Sequence, residues 1–153
     1  LVNAGGDLMA FGLKKETGAW HIGIQNPRKP EKIIASLDVR DKAVATSGDY
    51  QRYFIKDKVR FHHILNPKDG WPENQTMSAT VIADTVMDAD AISTASFILG
   101  PKKGIALINS LEGVEGMILS KLGSASYSSG FRNLSGFSLQ GLENNLAKQI
   151  ETN

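Results

Sequence analysis

Met77-Ser78-Ala79-Thr80-Val81-Ile82-Ala83-Asp84-Thr85-Val86-Met87-Asp88-Ala89-Asp90-Ala91-Ile92-Ser93-Thr94 is where the periodicity of this sequence changes. Met77–Ala83 reads as a strand. From Thr85 to about Leu99 the pattern is helical, with Asp84 as the expected N-cap and Gly100-Pro101 as the stop. Upstream, apolar and polar residues alternate as they do on half-buried strands. Trp20, Ile22 and Ile24 alternate with His21, Gly23 and Gln25; Ile33, Ala35, Leu37 and Val39 follow; Ala43-Val44-Ala45 opens a third run. Asn26–Glu31, with two prolines, is expected to be a loop, Tyr50–Lys56 a further strand, and Lys56-Asp57-Lys58 a hairpin tip. Downstream, Pro101 opens a second helix to about Leu111, Glu115–Ser120 is a short strand and Gly123–Gly130 a Ser-rich loop. Consecutive strands followed by helices predict an α+β fold: a largely antiparallel sheet with covering helices.

Composition narrows the function classes. The 153 residues carry 17 Lys and Arg against 16 Asp and Glu, a net charge of +1, which gives no reason to propose nucleic acid as a partner. With no Cys there is no disulfide, thiolate metal site or Cys nucleophile. No apolar run reaches the length of a membrane-spanning helix, and no signal-peptide pattern is present. Leu1-Val2-Asn3-Ala4 opens inside an apolar run, so the chain is expected to be the later part of a longer protein. Leu139, Leu142, Leu146 and Ile150 recur at helical spacing in a divergent tail, residues 132–153.

Chemistry concentrates in two segments. Phe61–Gly70 reads as a strand entering a Pro/Gly turn, so Val59, Phe61, His63 and Leu65 share one face and Lys58, Arg60, His62 and Ile64 the other. That puts His63 among apolar neighbours and His62 among cations. His63 is then either a core histidine bonded to backbone or an acid–base group. Asp90 and Thr94, four apart on the helix, put two oxygens on one face together with Met87, Ala91, Phe97 and Ile98. A carboxylate on an apolar stripe is either paired internally or holds a hard cation; magnesium commonly takes one or two protein oxygens plus phosphates and waters. Gly5-Gly6 marks a close approach within a strand, without a dinucleotide fingerprint. Thr46–Tyr50 reads as a small-polar turn, either plain or able to offer N–H groups and hydroxyls to a phosphate.

Five segments, in order, carry a family resemblance: Asn3-Ala4-Gly5-Gly6-Asp7, Trp20–Pro27, Ala43–Tyr50, His63-Ile64-Leu65-Asn66-Pro67 and Ala89–Ala95. Together they resemble the C-terminal half of the ApbE family of FAD:protein FMN transferases, over roughly Leu1–Ser120. The resemblance implies magnesium-dependent transfer of FMN from FAD, as substrate, to a Thr or Ser hydroxyl of a target flavoprotein with a Ser/Thr-Gly-Ala-Thr-like site, releasing AMP. It implies Asp90 and Thr94 as metal ligands, with Ser93 where some members carry a further liganding Asp. His63 matches the residue that activates the acceptor hydroxyl and Leu65 a position touching FAD; Gly5, Gly6, Asp7, Ser47, Gly48 and Tyr50 would shape the flavin site. Asn66 and Asp69 depart from the family pattern, which has Asp and Thr there; Asn66 is expected still to cap the turn before Pro67. The family's N-terminal half, the remaining partner of this site, is expected to supply further flavin contacts, and the family places its members on the bacterial cell envelope, as periplasmic or membrane-anchored lipoproteins. The alternatives are a non-catalytic FAD-binding protein on the same scaffold, or a half-domain that only pairs with its other portion.

Overall fold

A computed structural model describes residues 1–15 and 18–140. Its centre is a six-stranded, wholly antiparallel sheet built from β1 (Val2–Ala4), β2 (Asp7–Ala10), β5 (Lys42–Gly48), β8 (Thr76–Ala83), β9 (Glu115–Ser120) and β10 (Ala125–Tyr127), in that spatial order. β3 (Trp20–Asn26) and β4 (Lys29–Val39), with β11 (Ser138–Leu139), form a second sheet; β6 (Tyr53–Lys56) and β7 (Val59–His62) form a separate hairpin. One long helical element, α1 (Val86–Asn109), packs on β8, β5 and β9.

β8 explains the layering. All eight of its residues are buried, as expected of a strand covered on both faces. Ala79 and Val81 pack with Phe97 and Ile108 of α1 and with Ile118. Ile82 joins Val44, Met117 and Leu119 in a larger core against Ile22, Ile24, Ile34 and Leu37 of the second sheet. The antiparallel α+β expectation holds, with one difference: helix covers only one face of the central sheet, and the β3–β4 sheet covers the other. Ala43, Ala45 and Ala83 meet Ala89 where the helix enters, so small side chains set a close helix–sheet approach.

Several local expectations shift. The N-cap is Thr85, whose hydroxyl accepts from the Asp88 N–H at 3.1 Å, and not Asp84, which pairs with Lys42. Gly100, at φ 77, interrupts α1 where the sequence marks the end of one helix and Pro101 the start of another. Gly5-Gly6 is the turn of a β1–β2 hairpin rather than a pair within one strand. Lys29 and Pro30 extend β4, so the loop expected at Asn26–Glu31 is only the Pro27-Arg28 turn. Thr46, Ser47 and Gly48 finish β5 instead of forming a turn, and β10 lies inside the segment read as a Ser-rich loop. The terminal helix falls on residues outside the described ones, apart from Leu139.

Candidate functional site

The end of β5, the β1–β2 turn, the segment after β7 and the first half of α1 enclose a cleft of about 300 Å³. Gly5, Gly6 and Asp7 form one wall, Ser47 with Thr46 and Gln51 a second, His63 to Leu65 a third, and Asp90, Thr94 and Ile98 the fourth. The last three are spaced by four residues, the spacing that stacks side chains along one line of a helix. This line is not an apolar stripe. Met87 is exposed, and the buried face runs through Ala89, Ser93, Ser96, Phe97 and Ile108. Asp90 stands at the edge of that face with its carboxylate reachable from the cleft, so burial imposes no internal partner on it.

Hydroxyl geometry orients Thr94. The Ser93 Oγ–H donates to the Asp90 carbonyl at 2.9 Å, and a carbonyl can only accept. Ser93 therefore accepts from Ser47, 2.8 Å away, and Ser47 in turn accepts from Thr94 at 2.9 Å. Each hydroxyl has one proton, so this chain aims the Thr94 proton at Ser47 and leaves the Thr94 oxygen lone pairs free. Ser93 itself is fully buried and does not line the cleft; its place is behind Thr94, holding the chain in one direction.

Two carboxylates face this opening. Burial, and after it the negative charge of Asp90, raise the Asp7 carboxyl above its ordinary range. Neither Asp7 nor Asp90 forms an ion pair among the described residues. Two uncompensated carboxylates beside a free hydroxyl oxygen are the hard-oxygen donor set a magnesium ion takes, and the residues present fit it.

The histidines exchange the roles expected of them. His62, expected among cations, is the buried one: its Nε2–H donates to the Glu73 carbonyl at 2.8 Å, the Ile64 N–H donates to its Nδ1 at 3.3 Å, and its ring meets Phe97 edge-on at 5.5 Å. Burial first, against the opposing pull of the Glu73 bond, holds its imidazole below the usual range. His63, the candidate base, is exposed at the cleft rather than in the core. Its Nδ1–H donates to the Arg52 carbonyl at 3.3 Å, which fixes the tautomer and leaves Nε2 as the acceptor.

Gly5, Gly6, Asp7, Ser47 and Leu65 all line the cleft. Tyr50 instead lines an adjoining cleft of about 250 Å³ that shares Gly6, Thr46 and Gln51 with the first and continues toward Ile22 and Ile24. Gly48 lines neither; it lies under the Tyr50 ring, where a Cβ would stand 2.4 Å from a ring carbon. Asn66 does cap its turn, its Oδ1 accepting from the Lys68 N–H at 3.1 Å. Asp69 is exposed and accepts from the Trp71 N–H at 2.9 Å, outside the cleft lining.

Next to the site is Asp49, within the Ala43–Tyr50 segment of the resemblance but with a role the sequence did not show. It is completely buried, gripped by both Arg28 terminal nitrogens and by Lys121, each at 2.7 Å. Burial alone would raise its carboxyl, but the bonds from Arg28 and then Lys121 hold it below the ordinary range. This clamp fixes the end of β5 to the β3–β4 turn and to the segment following β9. Its partners lie 21 and 72 residues away, so no local spacing marks it. Glu73, also buried, has its Oε1 satisfied by the Asn74 and Gln75 N–H groups.

Fold and cleft thus define a protein that brings two carboxylates, a hydroxyl oxygen and an imidazole to the walls of one cleft. The model of the ApbE family matches residues 1–118, and the chain belongs to that family. It is 38% identical over 132 residues to the FAD:protein FMN transferase of Treponema pallidum, covering 78% of this chain and 36% of the relative. With the Escherichia coli K12 protein of the same name it is 35% identical over 125 residues, 80% of this chain and 35% of that one. Among solved structures it resembles the ApbE protein of Thermotoga maritima (TM-score 0.80, 38% identity, 87% of this chain and 43% of that one). It also resembles the flavinyl transferase ApbE of Pseudomonas stutzeri in its apo form (TM-score 0.69, 33% identity, 88% and 42%). The chain spans about a third of the length of the curated relatives it matches.

Proposed function

We propose that the chain carries the metal- and base-bearing part of an FAD:protein FMN transferase, acting together with an N-terminal half. FAD occupies the cleft and its Tyr50-lined extension. His63 Nε2 accepts the proton of a Thr or Ser hydroxyl on the acceptor flavoprotein, in a Ser/Thr-Gly-Ala-Thr-like segment. The hydroxyl oxygen forms a new bond to the FMN phosphorus as the bond to the AMP oxygen breaks, so that AMP leaves. Asp90, Thr94 and Asp7 would hold magnesium, which supplies charge neutralisation at the pyrophosphate. By family analogy the protein acts at the bacterial cell envelope.

The observation that carries this reading is the convergence, in one cleft, of an imidazole with a fixed free nitrogen and an oxygen donor set with uncompensated negative charge. Incubating the full-length polypeptide with FAD, magnesium and an acceptor protein should release AMP and add an FMN-sized mass to the acceptor. Asp90→Ala should abolish the magnesium dependence. FAD binding with neither AMP nor acceptor modification would reduce the protein to a flavin binder, and unchanged metal titrations in Asp90→Ala would remove that residue from the site.

A further inference from the structure

The β6–β7 hairpin turns an aromatic face outward, and that face runs into the cleft. Phe54 and Phe61, directly opposite in the ladder, stack at 5.1 Å and 7°, and Trp71 leans on Phe61 at 6.1 Å. Phe54 is 61% and Trp71 63% exposed. Contiguous apolar surface of this kind marks an interaction site. Phe61 lies two residues before His63, and burial alternates from Phe61 to Leu65 with His62 and Ile64 inside, so Phe61 and His63 share the outer side of the chain. Lys56, Lys58 and Lys68 flank the patch, and none forms an ion pair among the described residues.

We propose that this face docks the acceptor polypeptide, an inference that rests on the transferase reading above. The fitting partner is an extended segment with an apolar side chain within two or three residues of its acceptor hydroxyl and carboxylates outside that. With the hydroxyl at His63, a neighbouring side chain on an extended chain reaches Phe61 and Phe54, because both strands advance by the same step. Carboxylates beyond it meet Lys56, Lys58 and Lys68, which outnumber Asp57 and Asp69 in the same two turns. Continuity with the cleft favours the acceptor over other occupants: a bilayer or a permanently bound segment on this face would obstruct the approach to the imidazole.

The test uses the full-length polypeptide and the variants Phe54→Ser/Trp71→Ser and Lys56→Glu/Lys68→Glu. Each should raise KM for the acceptor protein at least tenfold, with kcat and FAD affinity (flavin fluorescence) within twofold of the parent; aromatic anchors dominate such interfaces. Added salt should raise KM in the parent and less in the lysine variant. Unchanged KM in both variants overturns the proposal. So does lost FAD affinity, which would give the face to the nucleotide or to the rest of the fold. Lost binding to phosphatidylglycerol vesicles with KM unchanged overturns it in favour of a membrane. If the parent transfers no flavin, the transferase reading fails as well; transfer with unaltered KM defeats only the docking surface.

Discussion

Replacing His63 by Asn separates chemistry from folding. The Asn side-chain amide can reproduce the Nδ1–H donor that the imidazole gives to the Arg52 carbonyl at 3.3 Å, but it offers no basic nitrogen in the Nε2 position. The residue is exposed, so the substitution leaves no cavity and no buried polar atom behind. Even complete loss of that hydrogen bond is worth about 1 kcal/mol, or a melting shift of roughly 2–4 °C for a chain of this size. Loss of positioned proton transfer typically costs ~10²–10⁴ in rate, about 2.7–5.4 kcal/mol of barrier. The assay pairs a melting curve with single-turnover flavin transfer at saturating FAD and acceptor. The expected result is a Tm within a few degrees of the parent and a rate down at least a hundredfold. Transfer within tenfold of the parent refutes the base assignment; a rate loss that tracks the fraction unfolded refutes the separation itself.

Asp49→Asn should destabilise by about 3 kcal/mol, the lower end for breaking a buried pair because Arg28 and Lys121 both reach water, and calorimetry should show Tm lower by roughly 6–12 °C. Because the folded state holds this carboxyl below its ordinary range, its contribution is present above the unfolded carboxylate pKa and fades as pH falls through the depressed value; the variant should lack that acid limb in Tm against pH. His62 is also held below its usual range, so its burial as a neutral ring stabilises above the unfolded pKa of ~6.5 and less as pH drops beneath it. Urea unfolding at pH 7 and 5.5 should show a larger loss in the parent than in His62→Gln, and equal losses would exonerate the ring. Gly48→Ala should push the Tyr50 ring aside, costing about 1–3 kcal/mol and weakening FAD binding in a fluorescence titration.

What the sequence made legible follows from what short-range pattern can encode. Alternation located β3 and β4, and the Gly100-Pro101 break was readable because one residue needs a left-handed backbone and the next cannot continue a helix. The cleft residues were legible because the segments that carry His63, Asp90 and Thr94 stand in the order the family resemblance requires, and the fold brings all three to one cleft. Which face is inner was not legible. Arg60 shares a face with His62, yet that face turns inward because Arg60 lies over the Tyr53 ring at 3.7 Å and reaches the Asp49 carbonyl. Phe61 looks like core and faces out, because no described element covers that side of the hairpin. The Asp90 stripe failed similarly: Met87 counts as apolar on a wheel but is 77% exposed. Long-range partners such as Arg28 and Lys121 leave no periodic trace.

The Thr94–Ser47–Ser93 hydroxyl chain has a consequence for how the site would respond to acid. Aliphatic alcohols do not titrate in water at any pH at which the fold survives, so the donor oxygen they orient stays available throughout, whereas the Asp7 carboxyl, raised by burial and by the charge of Asp90, takes up its proton at a higher pH than a free aspartate does. The two arms of the cleft are therefore unlike in kind: one keeps its charge state at every pH, and the other changes it as the medium acidifies.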